Sequence, residues 1–210
     1  MIEAGERIAA ERGLAAMSLR EVQAAAGQRN KSAAQYHFGD RRGLIEAIAS
    51  ERMGPINEHR QRLLDDLDDL DDGTGVRDLM AVVVVPLAEA TIRPGSCWAR
   101  FLAQGLADPE LSDVVLHSFQ AGAYRDTRRR LIAAAVAVPD ELRERRVDHA
   151  VGVLVMSLAA AEALLAGGAP ASIPVPAQIA DLVDICTAVI EAPASAATRS
   201  ALDLASRQSA

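Results

Sequence analysis

The stretch Ser18 to Leu44, SLREVQAAAGQRNKSAAQYHFGDRRGL, constrains the fold of this chain more than any other. Ser18 followed by Glu21 has the S-x-x-E form of a capping box, whose side chains satisfy orphan amides in the first helical turn. Leu19, Val22 and Ala26 then share one helical face, and Gly27 stands where a helix end favours a left-handed residue. Asn30 suits the N-cap of a second short helix through Ala33, Ala34 and Tyr36, and Asp40 suits the cap of a third. Two short helices across a glycine turn form the helix-turn-helix, whose second member enters the major groove of DNA.

Charge placement agrees with a DNA reader. The chain carries a net charge of −7, which disfavours nonspecific binding to nucleic acid by the whole surface. Residues 18–45 run against that trend, with Arg20, Arg29, Lys31, Arg41 and Arg42 opposed only by Glu21 and Asp40. Within a small basic module, phosphate contacts position and base contacts specify. The expected DNA-facing residues are Ser18, Arg20, Arg29, Asn30, Lys31, Ser32, Gln35, Tyr36, His37 and Arg41.

Residues 2–48 resemble the DNA-binding domain of tetracycline-repressor (TetR) type regulators. The resemblance rests on I-A-A-E-R-G at 8–13, Ser18-Leu19-Arg20-Glu21-Val22, Ala26-Gly27, Tyr36-His37-Phe38-Gly39-Asp40-Arg41 and Leu44. Ala9 replaces a customary phenylalanine, the segment from Gly27 to Phe38 is one residue longer than the common pattern, and Gln35 occupies the place of a phosphate-facing tyrosine. The resemblance implies a ligand-controlled transcription factor, most often a repressor released from its operator when a small molecule binds the C-terminal domain. It also implies a two-fold dimer.

The rest of the chain reads as helical. Half of the residues are hydrophobic, 24% are charged and only 3% are aromatic, a globular composition without alternating β-branched runs. The expected class is all-α: a three-helix helix-turn-helix domain at 1–48, a helical ligand-binding and dimerisation domain at 49–192, and a mobile tail at 193–210. Nine helices are expected, three in front and six behind. Pro55 should kink or break the fourth, Ser96 should cap a helix from Trp98, and Asp108-Pro109 should open one running to Ile132. The aspartate-rich end of the fourth helix opposes the macrodipole and predicts fraying before Gly73.

Four of the six aromatics, Trp98, Phe101, Phe119 and Tyr124, fall in the central helices. They are either ordinary core or the wall of an effector pocket whose residues would be Trp98, Arg100, Phe101, Gln104, His117 and Tyr124. Val151–Ala166 is interrupted only by Ser157 and Glu162, broader than a one-sided stripe. With the last apolar helix it suggests a four-helix dimer interface through Val151, Leu154, Leu158, Leu165, Leu182, Ile185 and Val189.

No metalloprotease, nucleophile-elbow or phosphate-loop motif is present, and the four histidines are scattered. The chain is therefore expected to be no enzyme and to hold no cofactor or metal. Cys97 and Cys186 lack ligand spacing and suit free thiols in a reducing cytoplasm. No uncharged run reaches the roughly 20 residues of a membrane span. The expected partners are an operator duplex, an effector and a second copy of the chain. A dimeric helical adaptor without DNA binding is the alternative.

Overall fold

A computed structural model describes residues 1–28, 33–69, 74–119, 122–168 and 173–208. Among them the protein is all-α, with no strand. The helices are α1 (Ile2–Arg12), α2 (Leu19–Ala25), α3 (Ala33–Phe38), α4 (Arg41–Asp68), α5 (Val76–Thr91), α6 (Trp98–Ala107), α7 (Ser112–Phe119), α8 (Ala123–Ala134), α9 (Asp140–Ala166), α10 (Val175–Glu191) and α11 (Ala196–Gln208). A 3₁₀ turn at Leu14–Ala16 links α1 to α2.

The first three helices fold over the start of α4. Ile8, Ala9, Leu14, Met17, Val22 and Ala34 are buried against Leu44, Ile45 and Ile48. The expected start and end of α2 and start of α4 are found because they are set by caps. Ser18 Oγ accepts the Glu21 N–H at 3.2 Å, Gly27 takes φ of 64°, and Asp40 Oδ1 accepts the Gly43 N–H at 2.9 Å. Only half of the expected capping box is made. The Glu21 carboxylate accepts the Ser18 hydroxyl at 3.1 Å and the Arg12 guanidinium at 2.8 Å, and both pull its pKa below the usual carboxylate range.

Gly43 is forced by a backbone approach. A Cβ there would lie 2.0 Å from the Phe38 carbonyl oxygen, where α3 turns into α4. Since a backbone atom has no rotamer to escape into, Gly43→Ala must pry the two helices apart, an overpacking cost of about 2–3 kcal/mol. The expected result is a clear fall in the urea midpoint.

Helix α4 runs unbroken through Pro55, and α5 through Pro86. Neither proline ends its helix, because both helices are held by packing: Met53, Ile56, Val83, Val84 and Leu87 are all buried. The acidic end of α4 keeps helical form to Asp68. Arg130 of α8 grips the Asp68 carboxylate, with one contact at 2.9 Å, and lowers its pKa. Leu70 to Gly73 lie outside the described residues.

One further expectation is corrected. The helix drawn from Pro109 to Ile132 is two helices, separated before Gly122, whose φ is 59°. Its first turn is also not helical: Asp108 Oδ1 accepts the Glu110 N–H at 2.9 Å, and α7 starts only at Ser112. Within the tail expected to be mobile, α11 forms over Ala196–Gln208, started by Ser195 Oγ accepting the Thr198 N–H at 3.2 Å. Eleven α-helices are thus found among the described residues rather than nine.

Helix α9 is the axis of the body. It packs on α6 and α10, and α10 packs on α5. By length and hydropathy α9 is apolar enough to cross a membrane. In this fold Leu154, Val155 and Leu158 are instead spent on the protein core.

Candidate nucleic-acid interface

Helices α1–α3 present a polar and aromatic outer face on a small apolar base. Ala34 anchors α3 at zero exposure, while Gln35, Tyr36 and His37 point outward in succession. Tyr36 is 85% exposed, far more than a side chain that normally hides its ring from water. Its ring meets His37 edge-on at 5.3 Å. Ser18 and Arg20, at the start of α2, are also exposed. Arg29, Asn30, Lys31 and Ser32 lie outside the described residues, and with them the expected N-cap of α3.

The basic residues after the turn divide their roles. Arg41 is half-buried beside Asp40, Arg42, Glu110 and Leu111. Arg42 is already engaged: it reaches Asp113 at 2.7 Å, Glu46 at 3.4 Å and the Glu110 carbonyl at 3.3 Å. Its guanidinium holds the Asp113 carboxyl below the usual range. Arg42 therefore ties the N-terminus of α4 to α7.

A second tie comes from a residue expected to line an effector pocket. Gln104 of α6 accepts the Leu14 N–H at 2.9 Å and donates to the Ala9 carbonyl at 2.8 Å. The short side chain of Ala9 allows α6 this close to α1. Both ends of the Gln104 amide are thereby used to hold α1 and the following 3₁₀ turn against α6. Glu6 and Arg52 add a bidentate pair between α1 and α4, at 2.7 and 2.5 Å.

The other expected effector residues do not converge. Trp98 and Phe101 are buried core, stacked at 5.4 Å. His117 lies exposed along a 510 Å³ groove with Arg42, Glu46 and Asp113. Tyr124 is buried on α8 under the guanidinium of Arg60, 5.3 Å from its ring centroid, and burial pushes its hydroxyl up to about 12. Arg60 itself is wholly buried, bonded to Asn57 Oδ1 at 3.0 Å and the Val83 carbonyl at 3.4 Å, and burial brings its pKa down to about 10.

Arg100 is spent on Glu162, the one acid in the apolar stretch of α9. Glu162 is 1% exposed and caps α6 from outside that helix. Its carboxylate accepts the Ser96 hydroxyl at 2.6 Å, the Ala99 N–H at 3.1 Å, the Arg100 N–H at 3.0 Å and Arg100 Nε at 3.4 Å. Ser96, expected to cap α6, accepts the Trp98 N–H at 3.4 Å and also donates its hydroxyl to the Glu162 carboxylate, so the two share the capping of α6. A single acid inside an apolar helix was the available signal, since such a group must find partners when buried.

The interface residues expected on α9 and α10 also divide. Leu154, Leu158 and Leu182 face the protein's own core, and Val151, Leu165 and Val189 are half-buried against it. Only Ile185 is exposed. The free face of α9 carries Gly152, Met156, Ala160, Ala163 and Leu164. Met156 and Leu164 are 62% and 63% exposed. Both cysteines are free thiols; Cys186 is buried and pushed up to about 11, while Cys97 is only half-buried. No protein-family model and no curated protein matches the chain, so the tetracycline-repressor resemblance rests on its residues.

Proposed function

We propose that the chain is a homodimeric, DNA-binding transcriptional regulator of the tetracycline-repressor type, a repressor released from a palindromic operator by a small molecule. The observation that carries this is the outer face of α3. A six-residue helix, set behind a capped helix and a left-handed glycine, exposes Gln35, Tyr36 and His37 and buries only its base. Arg20 stands exposed at the start of the preceding helix. This arrangement suits a helix seated in the major groove with flanking groups on phosphates.

The free face of α9 supports the dimer. Between Val151 and Ala166 its only charge is Glu162, which is buried, so the exposed side is apolar and uncharged. Ile185 continues that surface on α10. Apolar surface of this kind marks association sites, and a second copy would also supply the second reader for a two-half-site operator. The ties through Gln104 and Arg42 give an effector a route, because any shift of α6 or α7 must move α1 and α4.

The test is selection of duplexes from a random pool by the purified protein. A palindromic consensus is expected, with half-sites one helical turn apart. Arg20→Ala should weaken binding to every duplex and reduce the salt slope by about one unit. Tyr36→Ala should cost roughly tenfold in operator affinity, with the melting temperature unchanged. Selection that returns no preferred sequence would reject the regulator in favour of a helical adaptor.

A further inference from the structure

Where the reader meets the body, a 440 Å³ cleft opens between Glu3, Glu6 and Arg7 of α1, Arg52 of α4, and the loop Arg93–Cys97 that joins α5 to α6. We infer that this cleft is a binding site for a small oxyanion, a carboxylate or phosphate-bearing metabolite gripped by Arg7, Arg52 and Arg93.

Charge, preorganisation and position support it. Three guanidinia face two carboxylates there, in a protein whose net charge is −7. One of the carboxylates, Glu6, is 4% exposed and is already committed to Arg52. With Glu6 and Arg52 paired, Arg7 and Arg93 against Glu3 leave one excess positive charge in the lining, and Glu51 nearby also acts on Arg52, so the attraction for an anion is local to the guanidinia.

Preorganisation comes second. Glu6 takes Arg52 through Nε and Nη2 at 2.7 and 2.5 Å, fixing the guanidinium plane while leaving Nη1 for another acceptor. Arg93, exposed on the cleft rim, is pinned through Nε to the Ala90 carbonyl at 3.0 Å, a bond that does not use its two terminal amino groups. Guanidinium forks held in this way lose little rotamer freedom on binding and match the paired oxygens of carboxylate or phosphate. Cys97 on the same wall does not oppose an anion, since burial raises its thiol pKa and keeps it neutral.

Size and position form the third. The volume fits a small metabolite, and clefts between structural units are preferred ligand sites. A ligand here would bridge α1 to the α5–α6 loop and join the reader to the body directly. The site does not depend on the DNA-binding reading, and it is tested without DNA.

The experiment is calorimetric titration of the full-length protein with citrate, inorganic phosphate and pyrophosphate, each at constant ionic strength. Saturable binding of at least one, near one per chain, is expected, with a rise in melting temperature. Citrate preference would identify a carboxylate ligand, and preference for the phosphates a phosphorylated one. The double variant Arg7→Ala, Arg93→Ala alters two exposed side chains and should fold normally while losing at least tenfold in affinity. Arg125→Ala, in a separate basic cleft on α8, should bind as the parent does. Absence of saturable binding by all three anions would overturn the proposal. So would binding that survives the double variant or is abolished by Arg125→Ala.

Discussion

Glu162→Ala is expected to destabilise the protein by about 3–5 kcal/mol, the range for breaking one side of a buried charge pair. Four donors lose their acceptor together: the Ser96 hydroxyl, the amides of Ala99 and Arg100, and Arg100 Nε. The Arg100 side chain, 18% exposed, keeps its charge without its carboxylate. The loss also removes the main cap of α6, and α6 holds α1 and the 3₁₀ turn through Gln104. Glu162→Gln keeps an acceptor oxygen and the side-chain volume, so it should recover part of the loss, because amide-to-amide bonds are weaker than those to a charge. Urea unfolding of the three proteins would rank them parent, glutamine, alanine. Equal stability of the alanine variant and the parent would mean that Glu162 does not cap α6.

How much of this was legible in the sequence follows from the range of each interaction. Ser18, Gly27 and Asp40 act on residues within a few positions of themselves, so their roles could be read from spacing. Gln104 and Glu162 act across 90–95 and 62–66 residues. No local pattern marks the partner of such a residue. Gln104 and Arg100 therefore look in the sequence like polar groups free for a pocket, whereas in the fold both are committed to structural hydrogen bonds.

The expected interface residues divide between core and surface for a different reason. When nearly every side chain of α9 from Val151 onward is apolar, periodicity no longer distinguishes the face that packs inward from the face left free. Both Leu154 and Met156 satisfy a hydrophobic pattern, and only the neighbouring helices decide between them. The split at Gly122 and the helix at 196–208 were missed because their signals are a single glycine conformation and a serine cap, with few large apolar residues to announce them.

The two faces of α9 give the most discriminating pair of substitutions. Leu154→Arg places a guanidinium at a position with zero exposure, inside the core shared with α6 and α10. An unpaired buried ion costs several kcal/mol even after relaxation, against a total stability typically of about 5–15 kcal/mol. Loss of the folded state, seen as low solubility and a missing thermal transition, is the expected outcome. Met156→Arg, two residues on, points into solvent from a side chain already 62% exposed. Its helix should stay intact and its melting temperature at low concentration should scarcely change. In a two-fold dimer built on this face, however, the two new charges would be brought together in an apolar contact and should raise the dimer dissociation constant at least a hundredfold. Sedimentation of the parent and of Met156→Arg at micromolar concentration reads the difference directly. If the parent sediments as a monomer, or if Met156→Arg remains as dimeric as the parent, this face of α9 does not form the dimer.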